Sequence, residues 1–478
     1  MSTEVHRCQV LVIGSGPGGS VTAWTLAAKG KDVLLVEEGP NLPLGSCPPF
    51  SIEELRQKYR SGGMNPALGK PTIPFVEARC AGGGSEINSG MYHRIPIEVL
   101  GVWRKKFQAQ HLEMEHLLPH FEACESALCV QLNPGKPPGA ATKMRTGADA
   151  MGWKSKEIPR WFKYEKEPLD SKDHSGRRQS MTETLIPRAM AFGCRFMTSV
   201  RAEQLRPKNK HWELKAERAG VPISIFADAV FLCCGALQSP ALLRRSGIRK
   251  NIGNSLALHP TIKVVAFFPD EINAGCADVA PQQVTEFAPR VCMGCSISTL
   301  PYISLAMSSH RKAKPDACRD WRRAAIYYAM IMGPNTGTVR NVPFAKDPLV
   351  RYSLGKNHFE LLGTSLRDLC RLLFAAGATE LYPGIAGCSP LKTEGDLRHI
   401  PPILPPDSTD LMTIHLFSSC VMGEARDICA VDSFGKVHGH QNLFVNDASL
   451  LCTAPGVNPQ GSIMAIARRN ALHFANGL

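Results

Sequence analysis

The chain lacks any uninterrupted apolar run of the roughly 18 residues that a membrane-spanning helix requires. Its N-terminus, MSTEVHRCQVLVIG, passes straight into a strand-like run and has no charged head, apolar middle or small-residue cleavage site of a secretory signal. Both absences argue for a cytoplasmic protein without a transmembrane anchor. Cysteine is present but not in the dense, regular spacing of a disulfide scaffold, and 17 of them cannot all pair within one chain. Cys292 and Cys295 form one CxxC. No second pair follows at zinc spacing and no redox-fold pattern surrounds it, so reduced thiols and no metal are expected. Long basic runs are missing too. Lys and Arg outnumber Asp and Glu by 55 to 42, a net charge of +13, yet they are scattered in short groups near Arg177, Arg244, Arg322 and Arg468. Without a basic stretch interleaved with aromatics, a dedicated nucleic-acid surface is not expected, whereas peripheral contact with an anionic membrane stays open. There is no internal repeat.

What is present reads as a folded, multi-core protein. With 478 residues, 44% hydrophobic and 20% charged, the chain exceeds what one core of about 250–300 residues usually holds. The run CQVLVI from Cys8 to Ile13 predicts a buried strand, and Gly14-Ser-Gly16-Pro17-Gly18-Gly19 follows it at once. VTAWTLAAKG then has helical composition with Gly30 as its stop, and KDVLLVEEG makes a second strand ending in Glu37 and Glu38. In this setting Gly14 permits a tight turn, Gly16 lets backbone approach a pyrophosphate, and Gly19 lets helix and strand pack closely. The helix N-terminus offers free N–H groups and a positive dipole end to phosphates. An acid about twenty positions on accepts ribose hydroxyls; Glu37 fits that place better than Glu38. The unit binds a dinucleotide but does not choose between FAD and NAD, so an NAD-dependent dehydrogenase remains open at this point.

Further segments carry a resemblance that does choose. CAGGGSEINSGMYHR runs from Cys80 to Arg94, and ADAVFLCCGALQSPALLRRSGI from Ala227 to Ile248. NIGNSLALHP lies just downstream. IHLFSSCVMG begins at Ile414, and the chain closes with VDSFGKVHGHQNLFVNDASLLCTAPGVNPQGSIMAIARRNA. Together with the glycine clamp these resemble the glucose–methanol–choline (GMC) oxidoreductases from one end of the chain to the other. The likeness of the closing segment extends to VNDAS and GVNPQ, and the GVNP form resembles the branch that includes cholesterol oxidases and long-chain alcohol oxidases. The second signature departs from the pattern where Arg249 replaces the usual glycine.

The resemblance implies an α/β fold: a Rossmann-like FAD-binding domain of the glutathione-reductase/p-hydroxybenzoate-hydroxylase type, joined to an α+β substrate domain built on an antiparallel sheet. It assigns residues 1–95, 190–262 and 424–478 to the first, and 96–189 and 263–423 to the second. By the same resemblance Gly84, Ser85, Asn88 and Gly90 lie near the flavin ring and ribityl chain. Val200 lies against adenine, Gly235 lies beside the cofactor's nucleotide half, and Asp447 and Ala448 lie along the phosphate–ribityl region. Asn458, Pro459 and Gln460 reach the ring, with the Gln460 N–H at its pyrimidine end. Some members attach flavin covalently to a histidine; Ile87 stands at the matching position here, so non-covalent FAD is expected.

Alcohol oxidation removes a hydroxyl proton and a hydride, and the flavin takes the hydride. Protein groups must accept the proton and hold the oxygen. Histidine, with an ordinary pKa of about 6.5, suits the first task, and an uncharged amide suits the second. The family match therefore nominates His415 as general base and Asn458 as its orienting partner. His438 and His440 are read as loop histidines. The substrate expected is an alcohol, bulky or apolar by the GVNP resemblance, and the electron acceptor is O2 or a dye, quinone or protein. A flavin-containing lyase of the same fold, cleaving cyanohydrins without net redox, is the alternative. Elsewhere Leu362, Leu366, Leu369 and Leu373 share one helical face ending at Gly377. PPILPP at 401–406 predicts a loop. ISTLPYISLAM and AAIYYAMIMG read as strands of the substrate-domain sheet rather than as pocket lining.

Overall fold

The apolar run ahead of Gly14 forms a long strand, Glu4–Ile13, within the first of two large sheets. The computed structural model describes residues 4–164, 176–273, 279–310 and 318–477. Glu4–Ile13 pairs in parallel with Val33–Val36 on one side and Val221–Leu232 on the other. Arg195–Met197 extends the parallel sheet beyond Val33–Val36, and Leu443–Val445 joins the end of Val221–Leu232. An antiparallel meander, Val200–Lys208 and His211–Arg218, attaches to the other half of Val221–Leu232. Parallel strands covered on both faces read as unbroken apolar runs, and Val33–Val36 is buried throughout. Ile13 is level with Val36 and Leu232, and Leu232 with Val445. Gly14, Glu37, Gly235 and Asp447 consequently emerge along one edge, at the carboxyl ends where open parallel sheets bind ligands.

The second sheet is antiparallel, in the order Glu380–Pro383, Thr261–Phe267, Ala324–Ile331, Val291–Cys295, Gln282–Val284, Ser155–Glu157. Helices Gly139–Ala150 and Lys356–Ala375 cover one face. In the latter, Leu362, Leu366, Leu369 and Leu373 are fully buried, each contributing about 1.5–3 kcal/mol, and Gly377 ends the helix in the left-handed region at φ 86°. The opposite face looks toward the carboxyl edge of the first sheet.

Two local expectations are corrected. Proline suits a first helical turn, so ALQSPALL predicts a helix opening near Ser239-Pro240; the helix is Gly235–Arg245, and Pro240 lies inside it. Proline has no N–H to give to the carbonyl four residues back; that carbonyl, of Ala236, accepts the Ser419 hydroxyl instead. ISTLPYISLAM is not a strand: Leu300–Ala306 is a helix, with Pro301 in its first turn where proline is tolerated. AAIYYAMIMG does supply the strand Ala324–Ile331. Cys292 and Cys295 sit on one strand three residues apart, hence on opposite faces, and Cys295 Sγ donates to the Ala140 carbonyl on the helix side.

Candidate active site

A cavity of about 420 Å³ lies between the carboxyl edge of the first sheet and the face of the second opposite Gly139–Ala150 and Lys356–Ala375, within the usual range for small-molecule sites. Gly14, Gly16, Pro17, Gly18, Glu37, Val200, Gly235, Asp447 and Ala448 line one part of it. Gly84, Asn88, Gly90, His415, Asn458, Pro459 and Gln460 line the rest. Gly19 and Ser85 are not among the lining residues. Gly19 acts in packing: a Cβ there would stand 1.8 Å from the Gly14 carbonyl oxygen. Ser85 is turned inward, its hydroxyl donating to Gly82 O at 2.8 Å and accepting the Met181 N–H at 3.0 Å.

The glycine-rich end suits a long anionic group. Helices Pro17–Ala28 and Gln460–Ala475 begin at the cavity without a side-chain cap, leaving first-turn N–H groups available, and Gly235–Arg245 begins there with its first N–H taken by Asp447. A Cβ on Gly83 would come within 2.8 Å of Gly16 Cα, whereas no protein atom stands within 4 Å of where a Cβ on Gly84 or Gly235 would be. The protein backbone is closely packed on one side and open on the other, as a cofactor cradle requires. Glu37 braces the turn itself: one carboxylate oxygen accepts the Ser15 N–H and hydroxyl at 3.0 and 2.8 Å, the other the Gly39 N–H at 2.8 Å. Burial raises its pKa against these bonds. Glu38 is committed to Arg60 and Arg201, each at 2.7 Å, and these cations hold its pKa low despite burial. Asp447 accepts from Gly235 N–H at 2.8 Å and from Ser239, and its other oxygen accepts Ser449 N–H at 2.8 Å, so it fastens the helix start to the C-terminal segment. Asn88 Nδ2 donates to Gln460 Oε1 at 2.8 Å and Asn88 Oδ1 accepts the Gly90 N–H at 3.0 Å, tying the glycine-rich loop to the last helix.

His415 meets a partner the sequence reading did not single out. A short antiparallel ladder pairs Leu258 with Leu416 and Ala257 with Phe417, which brings His259 opposite His415. Their Nδ1 atoms are 3.0 Å apart. His259 Nε2 accepts the Gly456 N–H at 3.1 Å, so a neutral His259 carries its proton on Nδ1 and donates it to His415 Nδ1. Neutral His415 then carries its own proton on Nε2, which has no protein partner among the described residues. Burial, then repulsion from His93, lowers the His415 pKa to about 3. Burial, then His415, puts His259 well below the ordinary range.

Asn458 lies two residues beyond Gly456. Its Oδ1 accepts Gln283 Nε2 at 3.2 Å, and Gln283 also donates to Tyr328 Oη at 2.8 Å. The Asn458 amide N–H groups have no partner among the described residues. Tyr328 reaches Gln283 because Gly294 stands between them: a Cβ there would lie 2.7 Å from the tyrosine oxygen. This end of the cavity therefore offers two uncharged N–H donors, His415 Nε2 and Asn458 Nδ2, suited to an oxygen on which negative charge grows. His259, Gln283, Tyr328 and the cavity-lining Lys263 escaped the sequence reading. NSLALHP carried His259 without indicating its partner.

The model of the GMC oxidoreductase N-terminal region matches residues 55–261, and that of the C-terminal region residues 348–467. A pyridine nucleotide-disulphide oxidoreductase model matches residues 8–79. An uncharacterised GMC-type oxidoreductase of Sinorhizobium fredii is 38% identical over 97% of this chain and 94% of its own length. A long-chain-alcohol oxidase of Arabidopsis thaliana is 25% identical over 96% of this chain and 67% of its own. Among solved structures, pyridoxine 4-oxidase from Mesorbium loti superposes with a TM-score of 0.75 at 18% identity, covering 98% of this chain and 99% of that one. Formate oxidase of Aspergillus oryzae gives 0.70 at 15% identity, covering 100% and 99%.

Proposed function

This chain belongs to the GMC oxidoreductases, and from that premise we propose that it oxidises the CH–OH group of an alcohol to a carbonyl using FAD bound without a covalent link. The reading rests on one arrangement: the cradle and the pair His415–Asn458 face a single cavity. Bound FAD supplies the hydride acceptor. Gly14, Gly16, Pro17 and Gly18 with the first helix would hold its diphosphate, Glu37 its ribose and Val200 its adenine. Gly235 would lie beside its nucleotide half, and Asp447 and Ala448 would follow the phosphate–ribityl stretch. Gly84, Asn88, Gly90, Pro459 and Gln460 would meet the ring. Ile87, buried at the cavity wall, has no group that can bond to it; acid precipitation should release all the flavin into the supernatant.

His415 and Asn458 are proposed to hold the substrate oxygen. In the resting hydrogen-bond order both donate to it and orient it, and neither accepts the hydroxyl proton. Acting as the base, the role expected from sequence, requires His415 to carry its proton on Nδ1, and His259 then gives up the bond from Gly456, at a cost of about 1–3 kcal/mol. The decisive experiment is anaerobic mixing of the holoenzyme with a panel of alcohols, followed at the flavin absorption band. His415→Ala should slow reduction by about 10²–10⁴-fold with FAD retained. Failure of every alcohol to bleach the flavin would overturn the reading in favour of the non-redox alternative.

A further inference from the structure

The cavity-facing side of the second sheet carries a row of side chains set by strand register. Gln283 is opposite Gly294, Gly294 opposite Tyr328, and Tyr328 opposite Lys263. Paired residues of an antiparallel sheet project from the same face. Gln283, Tyr328 and Lys263 therefore all point toward the cavity, and Tyr328 and Lys263 are among its lining residues. The first two are engaged: Gln283 bonds Asn458 and Tyr328. Lys263 is not. It makes no side-chain hydrogen bond and no ion pair among the described residues.

Its surroundings make that unusual. Along the same strand Thr261 precedes it on the cavity face and Val265 follows, the latter packed with Ile303 and Met307. The cavity wall beside Thr261 is formed by its strand partners Met330 and Met412. An ammonium group enclosed by apolar walls is costly without an anion, and burial alone lowers its pKa to about 8, with no charged neighbour contributing. Tyr328, the titratable side chain on the adjoining strand, is kept protonated by burial, which pushes its pKa well up. Lys263 thus remains a cation at neutral pH with no carboxylate of the protein beside it among the described residues.

We propose that Lys263 receives an anionic group of the substrate, so that the alcohol oxidised here is a hydroxy acid whose carboxylate lies several carbons from the reacting hydroxyl. The inference rests on the alcohol-oxidation reading and assigns the other end of the same substrate. Lys263 is four residues along the chain from His259, on the order of 13 Å between Cα atoms for extended backbone. The carboxylate and the oxygen held by His415 and Asn458 are accordingly separated by a spacer, and the apolar walls accommodate it. An unbranched alcohol of the same length would enter the walls but leave the ammonium unpaired.

The test compares the holoenzyme with Lys263→Met and Lys263→Arg, each confirmed to retain flavin. The probes are ω-hydroxyalkanoates of about six to twelve carbons and the n-alkanols of matching length, with anaerobic flavin reduction as the readout. The native enzyme should reach half-maximal reduction at a concentration at least tenfold lower for its best hydroxy acid than for the matching alkanol. Lys263→Met should reduce that ratio by at least tenfold, and Lys263→Arg should restore part of it. The preference should fade as pH rises through about 8, where the lysine loses its proton. Should Lys263→Met not fold, competition in the native enzyme decides: a fatty carboxylate should inhibit at least tenfold better than its amide. Equal use of both alcohol classes, or equal inhibition by carboxylate and amide, overturns the anion site while leaving alcohol oxidation standing. No reduction by either class overturns the parent reading instead.

Discussion

His259 and His415 face each other across two short strands, Nδ1 to Nδ1 at 3.0 Å, and the N–H of Gly456 decides which of them donates. The bond orients the cavity-facing ring and determines which nitrogen carries its proton. Replacing His259 by Leu leaves His415 Nδ1 and the Gly456 N–H unpaired inside the protein, each at about 1–3 kcal/mol. At about 1.4 kcal/mol per tenfold in rate, flavin reduction by alcohol should slow on the order of tenfold to a hundredfold, with flavin content preserved. An unaltered reduction rate would show that His415 needs no partner.

Acid should destabilise the protein through its buried histidines. The folded protein holds His415 at about 3 and His93 at about 4, in both cases mainly by burial, and holds His259 lower than its ordinary value. In the unfolded chain each takes a proton near pH 6.5. Between those values the unfolded state binds more protons, so stability is complete above about pH 6.5 and declines as pH falls. The melting temperature should drop steadily from pH 7 to pH 4.5, and His93→Asn should flatten part of the slope. A melting temperature flat across this range would mean that these rings are protonated in the folded state. Since His415 stays neutral above about pH 4, its protonation should produce no step in the reduction rate between pH 5 and 7.

Two glycine substitutions should separate folding from cofactor binding. A methyl at position 19 would meet the Gly14 carbonyl oxygen at 1.8 Å, so Gly19→Ala forces the first helix off its strand. It should lower the melting temperature of the protein with or without flavin. Gly84→Ala meets no protein atom within 4 Å and has an ordinary backbone conformation. Its apoprotein should melt within a few degrees of the native apoprotein, yet bind FAD measurably more weakly. Equal flavin affinity for Gly84→Ala and the native chain, measured by fluorescence quenching, would place the ring elsewhere in the cavity.

What could be read from sequence was local in the chain. The strand, glycine turn and helix of residues 8–28 are consecutive, so their spacing alone carries the geometry; the leucine stripe of Lys356–Ala375 has the same advantage. The C-terminal segment was legible by family likeness, including His415 and Asn458. His259, Gln283, Tyr328 and Lys263 were not, because their meaning comes from strand register between segments far apart in sequence. ISTLPYISLAM misled because a short apolar run fits strand and helix equally, and only Pro301 in its first turn favours the helix. Ser85 misled because it belongs to the same glycine-rich stretch as its cavity-lining neighbours but is rotated inward.

Pro240 gives the nucleotide-side helix a gap in its bonding, and the hydroxyl of Ser419 occupies it. Ser419 follows His415 by four residues, so the segment bearing this imidazole is latched to the helix that opens at the cavity. A flawless helix would have offered no free carbonyl at that place. One missing proton donor thus works as a rivet between the helix Gly235–Arg245 and the segment that follows His415.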